Sequence, residues 1–557
     1  MSSASSSTPG SAPLAEEVRA SWVPMIGLFL AQILMSYNVS ALPVSLGGMV
    51  ETFGVPPTDI STAIVTYGLV VAALVMVGAK IGQRVGWVIV FRVVVAVFAV
   101  SAILMIVAPS VEFVILAQAL AGASAAIIVP SLVALIAENY RGAQQATAIG
   151  SLGSARALAG VSAFLIGGTL ATLVGWRQVF IVVLILAVAV FILSFRLRGE
   201  PGNPEIKIDV VAALLIGAGI VSLTLGVNNL NRWGLLTAGA DAPFDVLGLS
   251  PAPVLVVIGL VLVQLFFLWT RRRTKAGKVP LVSLSVFGSS RERAAVYAMF
   301  IVVGLEAALN FSIPLYIQIV QGRTPFDTSL AMLPFNLTVF FTAMLVVPFY
   351  RRFSPRTIGV FSFSLTTVAL VWLAFVVNNN WETFPTILGL FVFGVGQGAL
   401  VTLVFNVLVT ASPKTLAGDV GSVRGTTQNL ASAVGTAVAG ALLVGILSVN
   451  VVASLADHPE LPPELVAQVD LDRTNFVSND RLKDVLEQTD ATPSQVDAAV
   501  AVNEDARLSA LKLGLLILAG VSALAIVPAG RLPRYRPGEV PTSVATGRTP
   551  APEGAEV

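Results

Sequence analysis

Two ionisable side chains stand where ionisation is expensive. Arg156 and Glu306 fall inside long apolar segments, and a charge at membrane depth costs about 2.5 kcal/mol or more on insertion scales, so each needs a role or a partner. At 1.5 Å per helical residue, Arg156 lies about 14 Å and Glu306 about 20 Å along its segment. Both are then near the middle of a hydrocarbon core about 30 Å thick. A carboxyl group there can take up and release a proton, because burial penalises only its charged form. Glu306 reads as a proton acceptor or cation-binding carboxylate, or as a structural hydrogen-bonding group towards nearby backbone or Asn310. Arg156 could neutralise Glu306, bind an anionic solute, or reach the polar boundary with its guanidinium. Asn38, Gln118, Asn310, Gln397, Asn406 and Gln428 are uncharged polar residues in similar segments. They can tie helices together or line a cavity between them. Arg424 opens another segment and reads as a boundary anchor rather than a ligand.

Other chemistries lack material. The chain has no Cys and one His, His458, in the polar stretch Asp457-His458-Pro459-Glu460. Disulfides, thiolate catalysis and zinc or haem ligation are therefore not expected, and His458 reads as a solvated loop residue. The glycines of Gly394-Val395-Gly396-Gln397-Gly398 lack the strand and the Lys of a phosphate-binding loop and read as helix-packing positions. Neither a cofactor nor an enzymatic activity is expected. A net charge of +2 offers no field for nucleic acid.

The elements that position these residues follow from composition. Of 557 residues, 56% are hydrophobic and 11% charged, against about 25% charged in a soluble domain. Mean hydropathy is +0.87. An ordinary soluble enzyme is excluded, and the apolar runs are continuous rather than alternating, which excludes a β-barrel. Fourteen segments can span a bilayer: 22–45, 59–81, 87–108, 112–137, 147–174, 177–195, 208–228, 252–270, 293–319, 327–349, 357–378, 383–411, 424–449 and 509–530. Lipid leaves no backbone group unpaired, so all are expected to be helices.

Loop charge alternates. Loops after even-numbered segments carry Lys80 and Arg84, Arg141, Arg196 and Arg198, the run from Arg271 to Arg293, Arg351 and Arg352, Lys414, then Arg531, Arg534 and Arg536. Odd-numbered loops carry Glu51, Asp59, Glu112, Asp241, Asp245, Asp327 and Glu382. The excess of positive charge places both termini in the cytoplasm. The first residues lack the basic start of a signal peptide. Loop 450–508 holds twelve Asp or Glu against four Lys or Arg. It is expected outside the cell, as a solvated acidic cap or a vestibule, with short helices possible at 463–469 and 480–488. The basic run 271–293 is expected to touch anionic headgroups and splits the chain into eight and six spans. That asymmetry points to two six-helix bundles plus two inserted spans. The expected division is a tail at 1–20, a bundle at 21–200, the inserted pair and basic loop at 201–290, a second bundle at 291–530 with the acidic loop, and a tail at 531–557.

Gly78-Ala79-Lys80-Ile81-Gly82-Gln83-Arg84-Val85-Gly86 is similar to the signature loop Gly-x-Leu-x-Asp-Arg-x-Gly of the major facilitator superfamily. Gly82, Arg84 and Gly86 match, and Gln83 stands where that family has Asp. Gly175-Trp176-Arg177-Gln178-Val179-Phe180 resembles the family's Trp-Arg-x-x-Phe, and Asn38-Val39-Ser40-Ala41-Leu42-Pro43 its Asn-Val-Ala-Leu-Pro. The stretch from Ile313 to Gly322, with Pro325 and Pro334, resembles spans 9 and 10 of the 14-spanner drug:proton antiporters, and Leu416 to Ser422 with Gln428-Asn429 the start of span 13. The family's span-1 Asp is Ile33, its span-4 Arg is Gln118, and Ala163 to Gly168 lacks the antiporter-motif Pro.

This resemblance implies an all-α integral membrane protein. It implies a monomeric, multi-pass secondary transporter of the inner (plasma) membrane, surrounded by membrane lipids. The implied activity is proton-coupled export of hydrophobic or amphipathic small molecules by alternating access; with the family's span-1 Asp and span-4 Arg replaced, Glu306 is the buried carboxyl group that could carry the proton. Residues 82, 83, 84 and 86 would form the conformational latch, reduced at Gln83 to a neutral hydrogen bond. Two other readings stay open: an exporter of a specific metabolite or lipid with altered or no proton coupling, and a receptor or scaffold that kept the fold.

Overall fold

The computed structural model describes residues 21–534 apart from 141, 235, 240, 241, 246, 285–289, 347, 348, 350, 351, 411–416, 458–482 and 484–491. Fourteen long helices run through it: α1 Val23–Val44, α2 Pro57–Val85, α3 Trp87–Val107, α4 Val111–Asn139, α5 Gly142–Ser162, α6 Trp176–Ser194, α7 Val210–Asn228, α8 Pro251–Lys275, α9 Ser290–Leu315, α10 Pro325–Leu345, α11 Pro355–Val376, α12 Phe384–Thr410, α13 Ala417–Asp457 and α14 Pro493–Ala529. Thirteen of these positions are long and apolar enough, among the described residues, to cross a membrane. The other, α13, is 41 residues long and packs between α2 and α9.

Local sequence sets the boundaries. Asp209 caps α7 by accepting from the Ala212 amide, and Ser250 caps α8. Thr324 and Asp327 form a reciprocal capping box on α10, and Pro opens α8, α10, α11 and α14, where its missing amide costs nothing. A single residue, Gly86, joins α2 to α3 with φ +104°, a conformation that side chains disfavour. One turn earlier, a Cβ on Gly82 would lie 2.1 Å from the Trp87 ring. Two of the three signature-loop matches are therefore explained by this tight corner. The Trp-Arg-x-x-Phe motif has an equally local explanation. Arg177 donates to the Ala108 carbonyl and stacks on Trp176, whose indole donates to Thr52.

Two places depart from the expected elements. The acidic loop is shorter than 450–508, because α13 continues to Asp457 and α14 starts at Pro493. Thr492 and Gln495 cap α14 reciprocally, so the helix propagates through a charged stretch that apolarity alone would leave outside. In addition, α5 and α9 each end in a π-turn, Ala163–Gly167 and Tyr316–Val320, with a last stretch Gly168–Leu173 completing the fifth span. Residues 1–20 and 535–557, the middle of the acidic loop with His458 and 463–469, and most of 480–488 lie outside the described residues. So do Arg141, Asp241, Arg351, Lys414, Leu416 and the side chain of Asn406.

The helices form two six-helix bundles. In the first, α4 packs on α2 and α3, and α1 on α5 and α6; in the second, α9 packs on α12, α13 and α14, and α11 on α12 and α14. The bundles meet along α2–α13 and α5–α10. Close approach needs small residues at these seams. A Cβ on Gly168 would lie 2.0 Å from the Ser329 hydroxyl, and one on Gly68 would lie 3.0 Å from the Asn429 carbonyl. The remaining pair, α7 and α8, leans on the outside of the α2–α13 seam through α7.

Candidate functional site

A cavity of about 150 Å³ lies between the bundles. Its walls come from α1, α2, α4 and α5 on one side and α9, α10, α12 and α13 on the other. Met35, Val39, Ile64, Phe164, Phe335 and Val339 make it largely apolar, and Gln32, Ser36, Asn310, Asn336, Gln428 and Asn429 add hydrogen-bonding groups.

Its charged centre is the pair found first in the sequence. Arg156 Nη2 donates to Glu306 Oε2 at 2.9 Å, with the side chains 22% and 18% exposed. Arg156 comes from α5 and Glu306 from α9, so this bond joins the two bundles inside the cavity. An ion pair meets the need for partnership that burial imposes on each charge. Protonating the carboxylate would cancel the attraction.

The other candidates fall into different places. Asn310 and Gln428 line the cavity, and Asn310 Oδ1 has no hydrogen-bond partner among the described residues. Asn38 and Gln118 do not line it. Asn38 donates to Gln118 Oε1 at 2.9 Å, and both are buried between α1 and α4. This neutral bond ties the helices in which the resemblance leads one to expect charged residues. Gln397 is fully buried on α12, away from the cavity wall. Arg424 does line the cavity, so it is more than a boundary anchor. It opens an apolar run in the sequence, which conceals that α13 already begins at Ala417.

The signature loop also reads differently in three dimensions. Gln83 stays within its own helix, accepting from Lys80 Nζ at 3.4 Å. The contact across the α2–α13 seam belongs to Lys80, 3.4 Å from Asp419 Oδ1. The Asp419 Oδ2 atom accepts from the Ser283 amide at 2.9 Å. Arg84 is exposed at the end of α2. Towards the other end of the bundles, Gln318 of the second π-turn bridges to α1, accepting from the Gly47 amide at 2.9 Å and donating to the Pro43 carbonyl at 3.1 Å. Neither Asp419 nor Gln318 stood out beforehand. An acidic residue in the first turn of a span beside a basic loop is the signal that could have found Asp419.

Known proteins match this arrangement. The profile of the Major Facilitator Superfamily matches residues 28–436. A probable actinorhodin transporter of Streptomyces coelicolor is 28% identical over 436 residues, spanning 76% of this chain and 71% of its own. The multidrug efflux pump LfrA of Mycolicibacterium smegmatis is 27% identical over 435 residues, spanning 77% and 82%. Among solved structures, an inward-facing bacterial homologue of the human lysosomal transporter Spinster superposes with a TM-score of 0.54 at 14% identity, covering 93% of this chain and 98% of that one. A peptide transporter bound to sulfate gives 0.56 at 14% identity, covering 91% and 95%.

Proposed function

The chain belongs to the major facilitator superfamily, and from that premise we propose that it exports hydrophobic or amphipathic small molecules in exchange for protons. The Arg156–Glu306 bond carries this reading, because it joins the two bundles inside the cavity and depends on the charge state of a carboxyl group. The apolar walls with scattered amides suit a substrate with a large apolar body and a polar end. The relatives named as a multidrug efflux pump and a probable actinorhodin transporter support export.

The exchange follows from competition. A substrate with a hydrogen-bond donor is held by ionised Glu306 and displaces Arg156. A proton arriving from the other side neutralises the carboxylate, removes that hold and releases the substrate. The bundles rock about the site between these steps. The membrane is the plasma membrane, with the chain termini on the cytoplasmic side in line with the basic loops. The protein works as a monomer, dividing into bundles near residues 200 and 290. The neutral Asn38–Gln118 bond favours a second reading, export of a specific metabolite or lipid with altered proton coupling.

The test uses proteoliposomes with an imposed pH gradient and ethidium as probe. Wild-type protein is expected to accumulate the dye and move protons in the opposite direction. Glu306→Gln keeps size and hydrogen bonding but cannot titrate. It should bind dye more weakly than wild type, with no dependence on pH, and fail to accumulate it. Transport by this variant at the wild-type rate and pH dependence would overturn the proposal and leave a uniporter with Glu306 as a structural group.

A further inference from the structure

The inserted hairpin has a function of its own to explain. Its outer helix, α8, packs chiefly on α7. Val257, Leu260, Val261 and Leu265 leave its outward face apolar and exposed, as expected of a helix in lipid. Where that apolar face ends, Arg271, Arg272, Lys275 and Lys278 are exposed. Arg273 is occupied differently, ion-paired with buried Asp209 at 3.0 Å, with Trp269 donating to the same carboxylate. This clasp fixes the end of α8 to the start of α7. Four cations thus sit on a rigid corner at the level where a lipid-facing helix leaves the hydrocarbon.

The chain then turns inward. Leu281 and Val282 are each 1% exposed and belong to the main core. The next amide, Ser283, donates to Asp419, the residue that pairs with Lys80 across the α2–α13 seam. Helix α7 lies against both helices of that seam. Residues 279–283 therefore strap one end of the seam, and only four residues separate Lys278 from Ser283.

We propose that Arg271, Arg272, Lys275 and Lys278 bind the headgroups of anionic phospholipids, and that this binding holds the 279–283 strap on Asp419 and keeps the basic end of the α2–α13 seam closed. Charge complementarity names the occupant. The run 271–278 contains five cations and no acid, and its place at the end of a spanning helix puts it in the headgroup layer. Lipid binding anchors the corner, the corner limits the slack in the strap, and the strap keeps Asp419 oriented towards Lys80. Opening this end requires Asp419 to leave Lys80, so anionic lipid opposes it.

The chain has no Cys, so spin labels at Val85→Cys and Arg531→Cys, both exposed at this end, report the seam without background. The labelled protein goes into nanodiscs of phosphatidylcholine alone or with phosphatidylglycerol. Neither substrate nor proton gradient is needed, so the outcome is independent of the role given to Glu306. The short-distance population is expected to rise severalfold with phosphatidylglycerol. Salt near 1 M, where the Debye length is about 3 Å, should reverse the rise. Lys275→Gln with Lys278→Gln, which spares the arginines that help to set orientation, should remove a large part of the response. Asp419→Asn should remove it while the protein still enriches phosphatidylglycerol around itself. An equal response in these variants and in wild type, or no response in wild type, would overturn the proposal.

Discussion

Arg156 and Glu306, 150 residues apart in the chain, form a bond that crosses between the bundles inside the cavity. Removing either partner leaves a different fault. Arg156→Ala strands a carboxylate in a largely apolar space, whereas Glu306→Gln leaves a guanidinium with a neutral acceptor. Breaking a fully buried pair costs roughly 3–5 kcal/mol. The 22% and 18% exposure of these side chains lowers the expectation for Arg156→Ala to about 2–3 kcal/mol. The double variant Arg156→Ala/Glu306→Gln should recover most of the loss. Unfolding midpoints in detergent check this ordering, and a double variant as unstable as the single would show that the charge is not the cause.

The same pair sets the direction of a pH effect. On the proposed exchange a charged Glu306 holds a donor-bearing substrate, so dye binding should strengthen as pH rises and weaken as pH falls. Glu306→Gln has nothing to titrate there and should give a flat profile. Dye fluorescence titrations at several pH values distinguish the two. A sloping profile retained in the Gln variant would assign the titration to another group.

The glycines of the second bundle give an asymmetric expectation. A Cβ on Gly435 would lie 2.3 Å from the Gly304 carbonyl, whereas one on Gly304 has nothing nearer than 3.5 Å. Gly435→Ala should force α9 and α13 apart and cost about 1–3 kcal/mol by overpacking. Gly304→Ala should be tolerated. Equal melting temperatures for the two variants would contradict the packing.

Much of this fold was legible because lipid leaves few choices. Continuous apolar runs became helices at nearly the expected positions, and the charges out of place in those runs, Arg156 and Glu306, line the cavity. What could not be read depends on docking. That Arg156 meets Glu306, that Asn38 faces Gln118 rather than the cavity, and that Lys80 rather than Gln83 makes the seam contact all follow from how separate helices rotate against one another. The start of α14 was hidden for another reason. Asp497, Glu504, Asp505 and Arg507 interrupt the apolar pattern, and capping by Thr492 and Gln495 overrides it. The π-turns were also illegible, since nothing in Ala163–Gly167 or Tyr316–Val320 departs from ordinary helical composition.

Lys80 and Asp419 should behave as one unit. Their side chains are 8% and 11% exposed, and a hydrogen bond between charged groups is worth about 1.5–3 kcal/mol. Lys80→Gln and Asp419→Asn should each shift the seam towards its open form by about tenfold, the equivalent of 1.4 kcal/mol. The double variant should go little further, because both substitutions remove the same contact. Distances between spin labels across the seam measure this coupling. Strictly additive shifts would show that the two residues act separately.

At the opposite end, Gln318 holds the bundles together through both ends of its amide, accepting from the Gly47 amide and donating to the Pro43 carbonyl. The π-turn matters here because its extra residue changes which side chain faces α1. Gln318→Ala removes both bonds, each worth about 0.5–1.5 kcal/mol net, so this end should open about tenfold or more often. Gln318→Glu makes a sharper test. Above the titration of the introduced carboxyl, it can still accept from Gly47 but faces the Pro43 carbonyl with a second acceptor, and the end should open. Below that titration the protonated carboxyl donates to Pro43 again, and the end should close. A Ser40→Cys reporter in the cavity wall, in a chain with no other Cys, would react with a membrane-impermeant maleimide in proportion to opening at that end. The Gln318→Glu variant should therefore label faster at high pH, once corrected for the reagent's own pH dependence on wild-type background. Identical corrected rates for Gln318, Ala and Glu at this position would show that the closure rests elsewhere, on the contacts of α5 with α10.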